Sequence, residues 1–357
     1  MSPRPSLGFP SRLCGQLFSR LGAIAALVFT LATSSAMAQG PASTLEDVLA
    51  RGFLKCGVSQ GQPGFSIEAA DGTWSGFDVE YCRAIAAAVL GDGDAVEFTP
   101  LAASQRFDAL VGGEIDILSR NSTWTMGREA GLPIQFVGVT YYDGQAFMVR
   151  QSMGITSALE LSNATICASA GTTTVLNLTD FFQSRNMSFE LVTFDNVEDV
   201  VAAYDSQRCD AYASDTSGLF AQRLNLANPA DHVVLPEVIS KEPLSPAVRN
   251  GDPAWFNTAR WVLFAIINAE ELGLTSQSIE ALRSSDDPAT ARFTGASGDV
   301  GQLLGLRADW AFQVVAQVGN YGEVFERTVG AGSPLGIGRG LNALWSDGGL
   351  IYAPPIR

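Results

Sequence analysis

Short apolar runs alternate with helix-period segments twice along this chain, and that alternation restricts it to a layered α/β architecture rather than a helix bundle or a sandwich. In the first series the strand candidates are Leu54–Val58, Val96–Phe98, Ile115–Leu118 and Gln145–Val149. In the second they are Ala164–Ala168, Phe189–Thr193, Cys209–Ser214 and Val233–Leu235. Phe77–Leu90 carries Val79, Cys82, Ala86 and Val89 on one helical stripe, and Ser104–Val111 has Ser104 placed to cap it and Gly112-Gly113 to stop it. Thr173–Gln183 and Val197–Ser206 do the same in the second series, the latter with Asn196 as cap and Val197, Val200, Val201 and Tyr204 turned inward. The chain therefore reads as two similar α/β halves. After Leu235 the pattern changes: Pro236, Pro243 and Pro246 punctuate a loop, and a helix from Trp255 to Leu272 has enough apolar surface to return to the first half. A stretch rich in Ser, Asp, Gly and Ala, Ser284–Gly301, precedes a further helix over Leu306–Val318 and a Gly-rich tail, with no tandem repeat anywhere.

The start of the chain reads as a targeting segment. Arg4, Arg12 and Arg20 precede the apolar stretch Leu21 to Thr33, and Ala36-Met37-Ala38 closes it, which predicts a signal peptide over residues 1–38 cleaved after Ala38. The apolar stretch is too short to span a bilayer. Cys14 precedes that stretch instead of following it, so no lipid anchor is expected. No later segment approaches the roughly 18 consecutive apolar residues of a membrane span, and the expected destination is the periplasm.

Without Cys14 the exported chain keeps Cys56, Cys82, Cys167 and Cys209, an even number in an oxidising compartment. Three pairings are possible. Position favours Cys56 with Cys82 and Cys167 with Cys209, because each pair falls within one half. Closing loops of 26 and 42 residues would contribute roughly 3 to 4 kcal/mol each in the chain-entropy model.

Charge excludes several functions. There are 22 Lys+Arg against 37 Asp+Glu, a net charge of −15, whereas nucleic-acid affinity comes mainly from clustered cations, so DNA and RNA are not expected partners. A single histidine, His232, rules out a multi-histidine metal site. Neither lysine, Lys55 or Lys241, follows a glycine in a GxxxxGK[ST] run, so a phosphate-binding loop is absent. The reading calls for no metal and no cofactor.

Residues with chemistry to offer sit where strands end and helices begin, the place where α/β proteins take small ligands. One cluster runs from Ser119 to Arg128 behind the strand Ile115–Leu118. Another, Gly171-Thr172-Thr173-Thr174, opens a helix with hydroxyls and free amides suited to an anion. A third is Asp215, at the end of Cys209–Ser214.

Together with Gly76-Phe77-Asp78-Val79, Ala170-Gly171-Thr172-Thr173-Thr174 and the strand Asp210…Asp215, these clusters resemble the polar amino-acid-binding periplasmic proteins of ABC importers. Leu118-Ser119-Arg120-Asn121, Tyr141-Tyr142-Asp143-Gly144, the run Gly319-Asn320-Tyr321-Gly322-Glu323-Val324-Phe325-Glu326-Arg327 and the ending Gly349 to Arg357 are similar to the general L-amino acid-binding subfamily. The resemblance covers essentially the whole exported chain. It implies a type II periplasmic-binding-protein fold: two lobes, a hinge of two strands, and a ligand held in the interlobe cleft. Lobe one would take 39–149, lobe two 150–240, with a return over 241–284 and a C-terminal extension over 285–357. The chain would cross near Val149-Arg150 and come back near Ser240–Leu244. The resemblance puts the carboxylate-binding arginine on Arg128, adjoining contacts on Asn121 and Thr123, the helix-start residues on Thr172 and Thr173, and the ammonium-binding aspartate on Asp215. Ser59, Gln62 and Phe107 match pocket-wall positions, and Tyr142 falls on the hinge side. Arg120 stands where many relatives have a small hydroxyl residue.

The implied function is capture of free L-amino acids, of broad specificity, for delivery to the membrane permease subunits of an ABC importer, and whether acidic and amide side chains are preferred turns on Arg120, Ser59 and Gln62. The physics agrees, because a zwitterion taken from water needs a cation for its carboxylate and an anion for its ammonium. The expected state is a monomer that is neither membrane-inserted nor an enzyme. The same fold hosts periplasmic dehydratases of arogenate or prephenate type, an alternative that requires a proton-transfer group in the cleft. His232, in Ala230-Asp231-His232-Val233, reads as a surface or strand-edge residue, and no GxSxG elbow is present. A sensor domain signalling through a membrane partner is a third reading and would differ in what docks on the closed form.

Overall fold

A computed structural model describes Ser43–Arg357, so the leader and its cleavage after Ala38 lie outside the described residues. Helix α1 (Thr44–Arg51) leads into β1 (Leu54–Ser59), a hairpin of β2 (Ile67–Glu68) and β3 (Trp74–Ser75), α2 (Phe77–Leu90), β4 (Val96–Leu101), α3 (Arg106–Val111), β5 (Ile117–Leu118), α4 (Met126–Gly131) and β6 (Ile134–Phe136). β7 (Tyr141–Asp143) leaves this half. The second half contains β8 (Gln145–Arg150), β9 (Ala164–Ser169), α5 (Thr173–Gln183), β10 (Phe189–Phe194), α6 (Val197–Asp205), β11 (Ala211–Asp215), α7 (Thr216–Arg223) and β12 (His232–Val234). β13 (Glu242–Leu244) returns to β14 (Ala247–Arg249), and α8 (Pro253–Glu271), α9 (Pro288–Phe293), α10 (Trp310–Val318) and α11 (Tyr321–Thr328) follow, ahead of a last stretch with two short helical turns, Gly340–Asn342 and Trp345–Asp347.

Each half is built on a five-stranded mixed sheet. The first has the order β4-β1-β5-β14-β6, with β1 parallel to β4 and β5, and β14 antiparallel to β5 and β6. The second has the order β10-β9-β11-β8-β12, with β9 parallel to β10 and β11, and β8 antiparallel to β11 and β12. Parallel neighbours need crossovers, which is why helices alternate with strands and why the carboxyl ends of β1, β5, β9 and β11 gather where ligands bind in such sheets. The link between lobes is the antiparallel pair β7–β13, with Asp143 opposite Glu242 and Leu244 opposite Tyr141.

The expected elements recur with instructive differences. Gln145–Val149 was expected among the first-half strands, but β8 pairs with β11 and β12 in the second sheet, so the chain crosses at Tyr141–Asp143, ahead of Val149-Arg150. An apolar run carries no mark of which sheet it joins, and pairing partners alone decide. Ser104 does not cap α3, which starts at Arg106 behind Gln105 without a side-chain cap bond. Asn196 does occupy the cap position of α6, yet its amide donates to Asp199 at 3.3 Å instead of accepting from the backbone. Val200, Val201 and Tyr204 turn inward as expected, whereas Val197 is only half-buried and lies on the cleft wall. His232 is on an edge strand as expected but is buried, with its ring nitrogen 2.8 Å from the Tyr204 hydroxyl.

The cysteines pair as their positions favoured. Cys56–Cys82 ties β1 to α2 and Cys167–Cys209 ties β9 to the residues before β11, with Cα separations of 6.3 and 5.7 Å. No helix among the described residues is long and apolar enough to cross a membrane.

The C-terminal segment belongs to the core of the first lobe. Ala-rich α2 lets α10 and α8 approach closely, and Trp310, Phe312, Val315, Tyr321 and Phe325 join Val79, Ile85, Val262 and Ile266 in one buried cluster. The same segment grips the hinge. Tyr141 of β7 stacks on Phe325 at 6.0 Å between ring centroids, and the Tyr321 hydroxyl donates to the Thr140 carbonyl at 2.8 Å. The Tyr142 amide donates to Asn342 Oδ1 at 2.7 Å, while Asn342 Nδ2 donates to the Tyr142 carbonyl at 3.1 Å. The segment thus both covers the first lobe and braces the hinge.

Candidate functional site

On the first lobe the site is a loop between β5 and α4 fixed by a buried carboxyl. Asp78, in the first turn of α2, accepts from the Asn121 amide at 3.1 Å through Oδ2, while its carbonyl takes the Ser119 hydroxyl at 2.9 Å. Burial pushes the Asp78 carboxyl up to about 7, against the opposing pull of the Asn121 amide and the Arg120 guanidinium. Asn121 has φ 23, a left-handed turn that an asparagine tolerates better than a branched residue. The loop thereby presents Arg120, Asn121 and Thr123 to the cleft. Thr125 caps α4 by accepting from the Arg128 amide at 3.2 Å, which seats Arg128 in the first turn, and Arg128 donates to the Thr123 carbonyl at 2.8 Å.

Two further guanidiniums converge on the same cleft. Arg120 donates through Nε to the Leu101 carbonyl at 3.0 Å, and burial draws it down to about 10. Arg106, only 2% exposed, donates to the Ala103 carbonyl and, across the cleft, to the Gly171 carbonyl at 3.5 Å, but its Nε has no partner among the described residues. Burial first, and then Arg120 and Arg128, push Arg106 well below its ordinary value. The Phe107 ring packs against Arg106 and Arg128, with centroids 4.7 and 5.3 Å from the guanidinium carbons.

The second lobe answers with a helix start and a carboxylate. Gly171 takes φ 71, and Thr172 follows at the cap position of α5 with its hydroxyl given to the Ser169 carbonyl at 2.8 Å, so no side-chain cap occupies the first amides of α5. Asp215 ends β11 at the start of α7 yet caps nothing, because Asp143 accepts from the Ser217 amide at 3.1 Å in its place. The Asp215 carboxyl is pushed well above the usual carboxylate range, by burial first and then by Asp143 and Glu242, with Arg128 and Arg106 opposing. Asp143, which also accepts from the Gly144 amide at 2.8 Å, is raised to about 6 by burial.

Nine of the residues expected from sequence line this one cleft: Ser59, Gln62, Arg120, Asn121, Thr123 and Arg128 from the first lobe, and Thr172, Thr173 and Asp215 from the second. Ser59 is held by its hydroxyl contact with Ser66 at 2.6 Å, and Gln62 accepts from Asn121 Nδ2 at 3.1 Å. Two residues fall outside the lining. Phe107 lies behind the arginines, and Tyr142, fixed by Asn342 through its backbone, packs against the core of the first lobe. Sequence reasoning missed Arg106, Gln222 and Glu242. Arg106 had one signal, its place beside Phe107 at the head of a short helix; Glu242, between Lys241 and Pro243, looked like a solvated charge.

The chain matches the bacterial extracellular solute-binding proteins, family 3, over residues 54–278. It is 52% identical over 337 residues to the general L-amino acid-binding periplasmic protein AapJ of Rhizobium johnstonii, covering 94% of this chain and 98% of the relative. It is 49% identical over 317 residues to the glutamate/glutamine/aspartate/asparagine-binding protein BztA of Rhodobacter capsulatus, covering 88% and 94%. Among solved structures, an ABC transporter periplasmic binding protein from Brucella ovis with glutathione bound superposes with a TM-score of 0.88 at 52% identity, over 89% of this chain and all of that one. Sequence, topology and the placement of a cleft between two lobes agree, and the chain belongs to the bacterial extracellular solute-binding proteins, family 3.

Proposed function

We propose that this protein binds free L-amino acids in the interlobe cleft, closes its lobes over them and delivers them to the permease subunits of an ABC importer. One observation carries the reading: a guanidinium of the first lobe, Arg128, shares the cleft with a second-lobe carboxylate, Asp215, that no described residue hydrogen-bonds. Arg128 and the first amides of α5 at Thr172 and Thr173 suit the α-carboxylate, and Asp215 suits the ammonium. A ligand touching both lobes stabilises the closed form over the open one, the difference a hinge transition needs. In this reading the moving bodies are the β1 sheet with its C-terminal segment and the β8–β12 sheet, turning about β7 and β13. The protein acts as an exported, cleaved periplasmic monomer and binds without catalysis. His232, the single histidine, is absorbed by its contact with Tyr204.

Arg106 and Arg120 bear on the side chain. Buried guanidiniums beyond the one used for the α-carboxylate favour a ligand with a second anionic or amide group. BztA carries acidic and amide amino acids in its name, in keeping with that preference. Glutathione, bound in the Brucella relative, is a γ-glutamyl peptide with two carboxylates and one ammonium, and supports a second reading in which the cleft takes such a peptide.

The test is calorimetric titration of the ligand-stripped mature protein with the twenty L-amino acids singly and with glutathione, followed by mass analysis of what was bound. Tight binding of several amino acids, each recovered unchanged, is the expected result. Binding of glutathione alone would move the assignment to the peptide. Recovery of an altered molecule would turn the reading toward a dehydratase.

A further inference from the structure

Glu242 opens the hinge strand β13 and is 2% exposed, yet its carboxylate is reached from both lobes. Oε2 accepts from the Thr123 hydroxyl at 2.5 Å and the Thr173 hydroxyl at 3.0 Å. Oε1 accepts from Asn177 Nδ2 at 2.7 Å and the Ser240 hydroxyl at 2.6 Å. An ionised carboxylate accepts only, at about four lone-pair sites, and all of them are taken here. The donors bring together the β5–α4 loop of the first lobe, two residues of α5 in the second, and the hinge.

This arrangement fixes the polarity of two groups on the ligand side. A threonine hydroxyl has one proton, and a hydroxyl that gives it to Glu242 keeps only lone pairs for the cleft. Thr123 and Thr173 come from opposite lobes, with oxygens 3.3 Å apart, and both line the cleft. As acceptors they cannot serve a carboxylate and can serve an ammonium. Resting on the amino-acid reading above, we infer that Glu242 is a positioning residue for ligand recognition: it takes the protons of Thr123 and Thr173 and so makes the cleft read the ligand's amine from both lobes at once. The α-carboxylate is then left to Arg128 and the α5 amides.

A Glu242→Gln substitution keeps the shape of the side chain but replaces two acceptor sites with two donors, so the four donors around it cannot all be satisfied. The experiment compares L-glutamate with glutarate, the same dicarboxylate without the amine, on the parent, on Glu242→Gln, and on Thr123→Val and Thr173→Val. L-Glutamate is measured by calorimetry and glutarate by displacement of it. The expected result is that L-glutamate binding to Glu242→Gln weakens tenfold or more while glutarate changes less than twofold, collapsing the preference for the amine. Both threonine variants should shift the ratio in the same direction, which keeps the inference open to test if Glu242→Gln does not fold. Equal loss of both ligands, or an unchanged ratio in the variants that fold, overturns it and leaves Glu242 as hinge packing. A parent protein that binds no L-amino acid would instead overturn the proposed function.

Discussion

Arg128 is where a single side chain should matter most to binding. Its replacement by alanine removes a charged two-pronged contact, which costs about 2 kcal/mol or more, a loss of roughly thirtyfold in affinity. Calorimetry on Arg128→Ala checks this, and an affinity within twofold of the parent would reject the carboxylate assignment. Asp78 gives a prediction about stability. Its folded pKa is raised from 3.8 to about 7, so above pH 4 the folded protein holds a proton that the unfolded chain has released. Stability linked to this group therefore falls as pH rises from about 4 through about 7. Asp78→Asn should remove that slope, so that the melting temperature of the parent drops relative to the variant across this window; parallel curves would show that Asp78 does not titrate there. At this scale the legible residues were those joined to a recognisable local pattern: Arg128 behind a strand end, Asp215 at another, Thr172–Thr173 at a helix start. Glu242 was not legible, because nothing beside it in sequence shows that it is buried, and Arg106 had only its place beside Phe107 at the head of a short helix.

Elements were easier to find than to connect. Periodicity located α2 and α5 as Phe77–Leu90 and Thr173–Gln183, because an apolar stripe at helical spacing specifies a helix wherever it packs. Short strands such as β6, β7, β13 and β14, with three residues each, fall below what alternation can reveal, and they form the hinge and the last two strands on one side of the first sheet. Gly171 is an element-scale constraint of another kind. It has φ 71, and a Cβ there would come within 3.0 Å of the Ser104 Cα on the opposite lobe. Gly171→Ala should therefore oppose closure, lowering ligand affinity about tenfold and keeping the liganded protein at the open dimensions in small-angle X-ray scattering. A variant that compacts with ligand as the parent does would show that the lobes never approach so closely at this point.

At the scale of the whole molecule the C-terminal segment is the least expendable part that sequence alone treats as an extension. Trp310, Phe312, Val315, Tyr321 and Phe325 are buried in the first lobe, and each large side chain removed from a packed core costs several kcal/mol. A chain ending at Ser284 should lose its cooperative thermal unfolding transition, as followed by circular dichroism, and a truncated protein that melts like the parent would contradict the shared core. By itself the sequence determined the α/β class, located most of the strands without settling which sheet each joins, favoured the within-half cysteine pairs and singled out most of the cleft's polar groups, since periodicity, parity and strand-end chemistry are local properties. Only the tertiary structure decided that β8 joins the second sheet, that Arg106 and Glu242 face the cleft and hinge, and that the final segment is both core and brace. Those outcomes depend on which surfaces pair over long sequence separations, and burial and pairing are properties of the packed chain that no local stretch of it encodes.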